Sequence, residues 1–65
     1  MAGMEFGPDW ELAARIAQAQ GMVSVQADCT LPEALRLMND RAIVQGQTLD
    51  EIATGVLDRT IRFGE

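Results

Sequence analysis

The chain has 65 residues, a formal net charge of −5 and an apolar fraction of 48%. This length allows one domain with a thin stability margin, and the apolar fraction is that of a folded core rather than of a disordered segment. A single cysteine, Cys29, excludes an internal disulfide, and the lack of histidine excludes an ordinary zinc site. Packed helices, a partner subunit or both must therefore stabilise the fold.

Composition also limits function and location. No apolar run is long enough to form a transmembrane helix, and the N-terminus has neither the basic nor the apolar region of a signal peptide. We therefore expect a cytoplasmic protein that contacts no membrane. The chain has no histidine, lysine or tyrosine, so acid–base catalysis would depend on carboxylates alone. This predicts a non-enzymatic protein without a cofactor, a metal or a small-molecule substrate.

The N-terminal segment predicts a flexible lead-in followed by one domain. Residues 1–8 contain three turn-forming residues, Gly3, Gly7 and Pro8, which leaves residues 9–65 as the domain. The first helix is predicted from about residue 9 to about residue 26, with Asp9 as its N-cap. A strand over residues 21–26 is the alternative for its far end, but it would have no second strand to pair with.

The first helix carries an apolar stripe that is close to a coiled-coil seam. Its members step by four, three and four residues: Leu12, Ile16, Ala19 and Val23. Trp10 lies on an adjoining side, so the apolar surface is wider than one partner helix needs. The sequence therefore predicts self-association into a homodimer through Trp10, Leu12, Ile16 and Val23.

The second helix has a clear predicted start. Thr30-Leu31-Pro32-Glu33 fits a capping box, in which Thr30 caps the helix and Glu33 reaches back to the backbone of Thr30. Pro32 falls in the first turn, where its missing N–H does no harm, and Gly46 is a natural helix end. The residues between them follow helical periodicity, with apolar positions at Leu31, Ala34, Leu35, Leu37, Met38 and Ala42.

The third helix repeats this arrangement. Thr48-Leu49-Asp50-Glu51 is a second capping box, followed by the apolar positions Leu49, Ile52, Ala53, Val56, Leu57 and Ile61. Arg59 and Arg62 are predicted to lie in the last turns, where cations stabilise the helix dipole. Two capping boxes and three apolar stripes together predict an all-α three-helix bundle.

Four segments on the three predicted helices carry a family resemblance: Ile16-Ala17-Gln18-Ala19-Gln20-Gly21-Met22, Pro32-Glu33-Ala34-Leu35-Arg36-Leu37-Met38, Leu49-Asp50-Glu51-Ile52-Ala53 and Val56-Leu57-Asp58-Arg59-Thr60-Ile61-Arg62-Phe63. Together they resemble the ANTAR domain, the RNA-binding output module of bacterial antitermination regulators. The last segment is similar to the C-terminus of actinobacterial proteins that join a GAF sensor to an ANTAR domain. The resemblance covers residues 12–63 and depends on the joint spacing of the segments.

The resemblance implies a domain that binds paired stem-loops in nascent RNA and prevents transcription termination. It also implies a dimer, held by a coiled coil that continues upstream from the first helix. The sequence departs from the family at four positions. Gln20 stands for the usual lysine, Leu35 for an aromatic residue, Asn39 for a common arginine and Gly46 for a common asparagine.

Seven polar residues are the candidate RNA contacts. Guanidinium groups match phosphate oxygens and guanine edges, and amides can bind base edges. The candidates are Arg36, Asn39 and Arg41 on the second helix, Arg15, Gln18 and Gln20 on the first, and Gln47 in the turn before the third. The alternative for Arg36 is a pair with Glu33 or Asp40 on a solvated face, and the alternative for the first helix is a plain solvent face.

Two other functions are alternatives to RNA binding. An acidic helical module for protein interaction or dimerisation, without nucleic-acid binding, is favoured by the net charge of −5, because nonspecific binding to nucleic acids depends on neutralising phosphates. A DNA-binding helix-turn-helix is excluded because Leu57 stands where its turn glycine would follow Ala53. Cys29 is expected to be an ordinary turn residue, since it has no basic neighbour to lower the pKa of its thiol.

Overall fold

The computed structural model describes residues 8–64. They form three helices: α1 (Pro8–Ala27), α2 (Leu31–Gln45) and α3 (Leu49–Leu57). Every pair of helices is in contact, which confirms the predicted all-α three-helix bundle. No helix in this part of the chain is long and apolar enough to cross a membrane. The predicted lead-in and the predicted upstream coiled coil lie outside the described residues, except for Pro8.

The start of α1 differs from the prediction. Pro8 is helical, so Asp9 lies inside the helix and the prediction that it caps α1 is wrong. Proline is well tolerated in a first turn, because the N–H that it lacks would have no partner inside the helix. The far end stays helical through residues 21–26, where Val23 is fully buried. Burial of Val23 outweighs the weak helix propensity of this segment.

The starts of α2 and α3 are the two predicted capping boxes. The Thr30 N–H donates to Glu33 Oε1 at 3.0 Å and the Glu33 N–H to Thr30 Oγ1 at 3.2 Å. The corresponding distances for Thr48 and Glu51 are 2.8 and 3.0 Å. Each box provides acceptors for two backbone N–H groups that the helix itself leaves without partners, so both predicted starts are confirmed.

All three helices end in the same type of backbone turn, a Schellman motif. In each, one residue adopts a left-handed conformation, and the next residue donates its N–H to the carbonyl five positions earlier. The left-handed residues are Asp28, Gly46 and Arg59, with φ of 54°, 66° and 70°, and the closing hydrogen bonds are 2.9–3.0 Å long. Only Gly46, the predicted end of α2, avoids the steric strain that a Cβ causes there.

The end of α3 corrects another prediction. The helix stops at Leu57, so Arg59 and Arg62 lie beyond it and not in its last turns. The Gly55 carbonyl accepts the N–H groups of Thr60 at 2.9 Å and Ile61 at 3.1 Å, which turns the chain back. A Cβ at Gly55 would collide with the Ile61 side chain. Ile61 therefore packs against the core from outside the helix.

The core contains small residues from all three helices and one aromatic ring from beyond them. Its buried members are Ala19, Val23, Ala34, Met38, Ala42, Ile52, Ala53, Val56 and Phe63. Three predicted apolar positions of α2 lie outside this core: Leu31 is 53% exposed, Leu37 is 38% exposed and Leu35 is only partly buried. Phe63 lies in residues 61–64, which we call the tail. Because the helices are short, the tail completes the apolar core.

Candidate nucleic-acid interface

The seven predicted RNA contacts fall into two groups, and the first group joins parts of the bundle. The Arg15 Nε of α1 forms an ion pair with Asp50 Oδ1 of α3 at 2.8 Å. Gln20 Nε2 donates to the Leu31 carbonyl at 2.8 Å and so links α1 to the start of α2. Both side chains are therefore engaged in structural contacts.

Arg41 belongs to the same group. Its guanidinium lies over the Phe63 ring, 4.4 Å from the centroid, in a cation–π arrangement. Its Nη2 also donates to the Arg62 carbonyl at 3.4 Å. Arg41 therefore holds the tail against α2, and sequence reasoning missed this role because the two segments are far apart along the chain.

The second group comprises four exposed residues: Gln18, Arg36, Asn39 and Gln47. Their side chains form no hydrogen bond or ion pair with any residue between 8 and 64. Arg36 thus has neither of the ion pairs, to Glu33 or to Asp40, that the alternative interpretation required. These four side chains are available for an external partner.

Arg36 lies on a surface that we call the α2 outer face, formed by Glu33, Arg36, Leu37, Asp40, Ile43 and Val44. It is opposite the buried side of the helix, and Ile43 and Val44 are 77% and 82% exposed. Glu33 and Asp40 are three and four residues from Arg36 and share its side of the helix. The face is therefore apolar toward the end of α2 and of mixed charge in the middle.

Cys29 borders the α2 outer face, and the pKa of its thiol responds to burial and to the carboxylates nearby. Partial burial, followed by the negative charges of Glu33 and Asp28, raises the pKa of the Cys29 thiol. Both causes disfavour the thiolate, which is the reactive form of cysteine. This agrees with the prediction of an ordinary, unreactive thiol.

The predicted dimer residues occupy different environments. Val23 is fully buried in the chain's own core, and Ile16 is partly buried against it, so Val23 has no surface to offer a partner in this fold. Leu12 is partly buried. Trp10 is 57% exposed and lies on the other side of α1, together with Val25, which is 81% exposed. The apolar surface that α1 leaves open is therefore not the predicted stripe.

A groove between α1 and the chain beyond α3 has a volume of about 530 Å³. We call it the tail groove. It is lined by Gln18, Gly21, Met22, Val25, Gln26, Arg59, Ile61 and Arg62. None of these residues is acidic, although the chain carries ten acidic residues. The sequence predicts Gln18 as an RNA contact. It does not predict Arg59 and Arg62 as contacts, because it places them in the last turns of α3.

The tail groove has an anchored wall. The Phe63 N–H donates to Gln26 Oε1 at 3.0 Å, and the Phe63 side chain is buried. Gly64 adopts a φ of 72° and lies so close to the backbone of Gln26 and Ala27 that a Cβ would collide with it. The backbone that carries Arg62 is therefore fixed against the end of α1.

No protein-family model, curated protein or solved structure matches the chain. Within residues 8–64, no group of three or more acidic or cysteine side chains is placed to hold a metal ion. Function must therefore be argued from the fold and from the surfaces described above.

Proposed function

We propose that the chain is an RNA-binding module that recognises paired stem-loops in nascent transcripts and prevents transcription termination, as the output domain of a sensor protein. The helix boundaries support this proposal. Residues 16–22 lie in α1, residues 32–38 in α2 and residues 49–53 in α3, which is the order that the resemblance to ANTAR domains implies. Three of the four segments of the resemblance thus fall within one helix each, and the fourth, residues 56–63, begins at the end of α3 and continues into the tail.

The observation that carries the proposal is that three exposed arginines form no ion pair within the described residues. They are Arg36, Arg59 and Arg62. Several acidic residues have structural partners instead, namely Glu33 and Glu51 in the capping boxes, Asp50 with Arg15 and Asp58 with Thr60. Three guanidinium groups are therefore free to bind phosphates and base edges, despite the net charge of −5.

Recognition of paired stem-loops suits a homodimer, because two copies of one site can bind two similar loops. The open side of α1 is the surface that we assign to the contact between copies. It carries Trp10, together with the exposed small residue Ala17. Small side chains let two helices approach closely, and a large aromatic residue provides buried area.

Binding can be tested by titrating the chain into fluorescently labelled tandem RNA hairpins with randomised loops at low salt. We expect Arg36→Gln to weaken binding by about tenfold, the loss of one charge-assisted contact. Arg15→Gln removes the same charge from a residue that is already paired with Asp50, so it should leave the affinity within about twofold. The same hairpins made of DNA are the second control.

The alternative function is an acidic interaction module without nucleic-acid binding. The exposed side chains of Leu37, Ile43 and Val44 on the α2 outer face favour it, since contiguous apolar surface often marks a contact between proteins. Failure of the wild-type chain to bind any hairpin at low salt would contradict the RNA proposal and support this alternative. Equal losses for Arg36→Gln and Arg15→Gln would show that only the overall charge matters.

A further inference from the structure

We propose that the tail groove binds one unpaired nucleotide of an RNA loop. In this arrangement the phosphate lies between Arg59 and Arg62, and the base lies on the apolar floor of the groove. The inference rests on the proposed RNA binding and extends it to residues on the opposite side of α1 from α2. It makes the groove a second contact, separate from the α2 outer face.

Charge is the first argument. The residues that line the groove include two arginines and no acidic residue, in a chain whose net charge is −5. Neither arginine side chain is paired with a carboxylate among residues 8–64. The groove is thus a locally positive site that suits an anionic ligand, and two guanidinium groups can each donate to phosphate oxygens.

The floor of the groove gives the second argument. Met22, Val25 and Ile61 form an apolar surface beside the arginines, and Val25 is 81% exposed. A phosphate alone would gain nothing from this apolar surface. The flat face of a base would cover the surface and remove it from water. A volume of about 530 Å³ is in the range of pockets that hold small organic molecules.

Two amide side chains favour a base over an acidic peptide. Gln26 accepts the Phe63 N–H with its Oε1, which fixes the orientation of the amide and leaves its NH₂ group to donate. Gln18 lines the groove with an exposed amide that has no hydrogen bond to a described residue. Amides offer paired donors and acceptors that match base edges, while the apolar side of a docked helix would leave them without partners.

The anchored tail gives the third argument. The contacts of Phe63 with Gln26 and Arg41 hold the backbone beyond α3 in place. Arg59 begins its side chain from a fixed Schellman turn, closed by the hydrogen bond from Thr60 to Gly55. Because the groove is formed before a ligand arrives, little ordering of the backbone opposes binding.

The test is a titration of the full chain, followed by NMR of methyl groups and arginine Nε atoms, with the four nucleoside 5′-monophosphates. We expect shifts at the methyl groups of Met22, Val25 and Ile61 and at Nε of the two groove arginines. Arg62→Gln should weaken mononucleotide binding by about tenfold. The matched control Arg15→Gln removes one arginine that lies outside the groove and is already paired with Asp50, so it should leave mononucleotide binding unchanged.

Ribose 5-phosphate and an unphosphorylated nucleoside complete the design. Shifts with ribose 5-phosphate as large as those with a mononucleotide would overturn the proposal, since the base would then contribute nothing. So would equal effects of Arg62→Gln and Arg15→Gln. Groove signals that respond only to protein concentration would assign the groove to a second copy of the chain and would also overturn it.

Tandem hairpins separate this inference from the proposed function. Hairpin binding that leaves the groove signals unchanged would overturn the inference and retain the RNA proposal. Mononucleotide binding by a chain that binds no hairpin would contradict the RNA proposal while supporting a nucleotide site in the groove. Hairpin binding that shifts the methyl groups of Met22, Val25 and Ile61 is the result that we expect.

Discussion

The tail groove and the α2 outer face both place arginine beside exposed apolar side chains, but they differ in the carboxylates around the arginine. On the α2 outer face, Glu33 and Asp40 share one side of the helix with Arg36. No acidic residue lines the tail groove, which carries Arg59 and Arg62. The net charge of −5 is therefore a poor guide to either surface.

The difference shows which kind of surface can be read from a sequence. The neighbours of Arg36 lie three and four positions away on the same helix, so helical geometry alone places them. The neighbours of Arg59 and Arg62 come from α1, more than thirty positions earlier in the sequence. They meet only because the chain turns back after Gly55 and the tail packs against the end of α1.

Phe63→Ala should change the tail groove and leave the α2 outer face intact. It is therefore the strongest test of the difference between the two surfaces. Phe63 is a buried core residue and the ring beneath Arg41, so its truncation should destabilise the fold by about 3 kcal/mol and release the tail. Urea denaturation measures the loss of stability, and methyl NMR of Met22 and Ile43 compares the two surfaces. We expect the groove signals to change and the signals of the α2 outer face to persist below the unfolding transition.

Leu37→Ala is the control for this variant. Leu37 is 38% exposed on the α2 outer face, so its truncation should reduce the free energy of unfolding by less, about 1 kcal/mol. A loss for Phe63→Ala no larger than that for Leu37→Ala would show that the tail contributes little to the fold. The groove would then lack the rigid wall that the inference requires.

Two glycine substitutions should have opposite signs. Gly64 has a φ of 72°, and a Cβ there would collide with the backbone of Gln26 and Ala27, so Gly64→Ala should destabilise the fold by about 2 kcal/mol. Gly21 lies inside α1 with no atom within 4 Å of an added Cβ, so Gly21→Ala should stabilise it by up to about 1 kcal/mol. Thermal unfolding of both variants checks the pair, and a neutral Gly64→Ala would contradict the close approach of the tail.

Arg59→Gly should stabilise the protein and weaken the groove. Arg59 has a φ of 70°, where glycine avoids roughly 1 kcal/mol of steric strain. The same change removes one groove arginine and should weaken mononucleotide binding. Arg62→Gly is the control, because no strained φ at this position can be relieved, and it should not stabilise the fold. A lower melting temperature for Arg59→Gly would contradict the predicted release of strain.

The smallest effect concerns the reactivity of a thiol on each surface. The raised pKa of the Cys29 thiol keeps it protonated to a higher pH than an ordinary cysteine, so iodoacetamide should react with it slowly at neutral pH. A cysteine placed in the groove, Val25→Cys with Cys29→Ser, would lie near two arginines that stabilise its thiolate. The pH profile of alkylation should therefore lie lower for the groove thiol than for Cys29. Overlapping profiles would contradict the difference in local charge between the two surfaces.

Part of the candidate site could be predicted from sequence. Gln18, Arg36, Asn39 and Gln47 remain exposed and unpaired toward the described residues, as an RNA contact requires. The same reasoning selected Arg15, Gln20 and Arg41, whose side chains join separate segments of the bundle. Polarity and helical spacing show that a residue can reach the surface, but they do not show which distant segment will pack beside it.

The number of helices and the starts of α2 and α3 could be predicted from local sequence alone. A capping box is closed by groups only three residues apart, so Thr30 with Glu33 and Thr48 with Glu51 were readable without a tertiary structure. The end of α2 at Gly46 could also be predicted from the local sequence. Tertiary packing set the end of α3, the burial of Phe63 and the wall of the tail groove. Arg59 adopts a left-handed conformation that its side chain opposes, and burial of the residues that follow α3 offsets that strain.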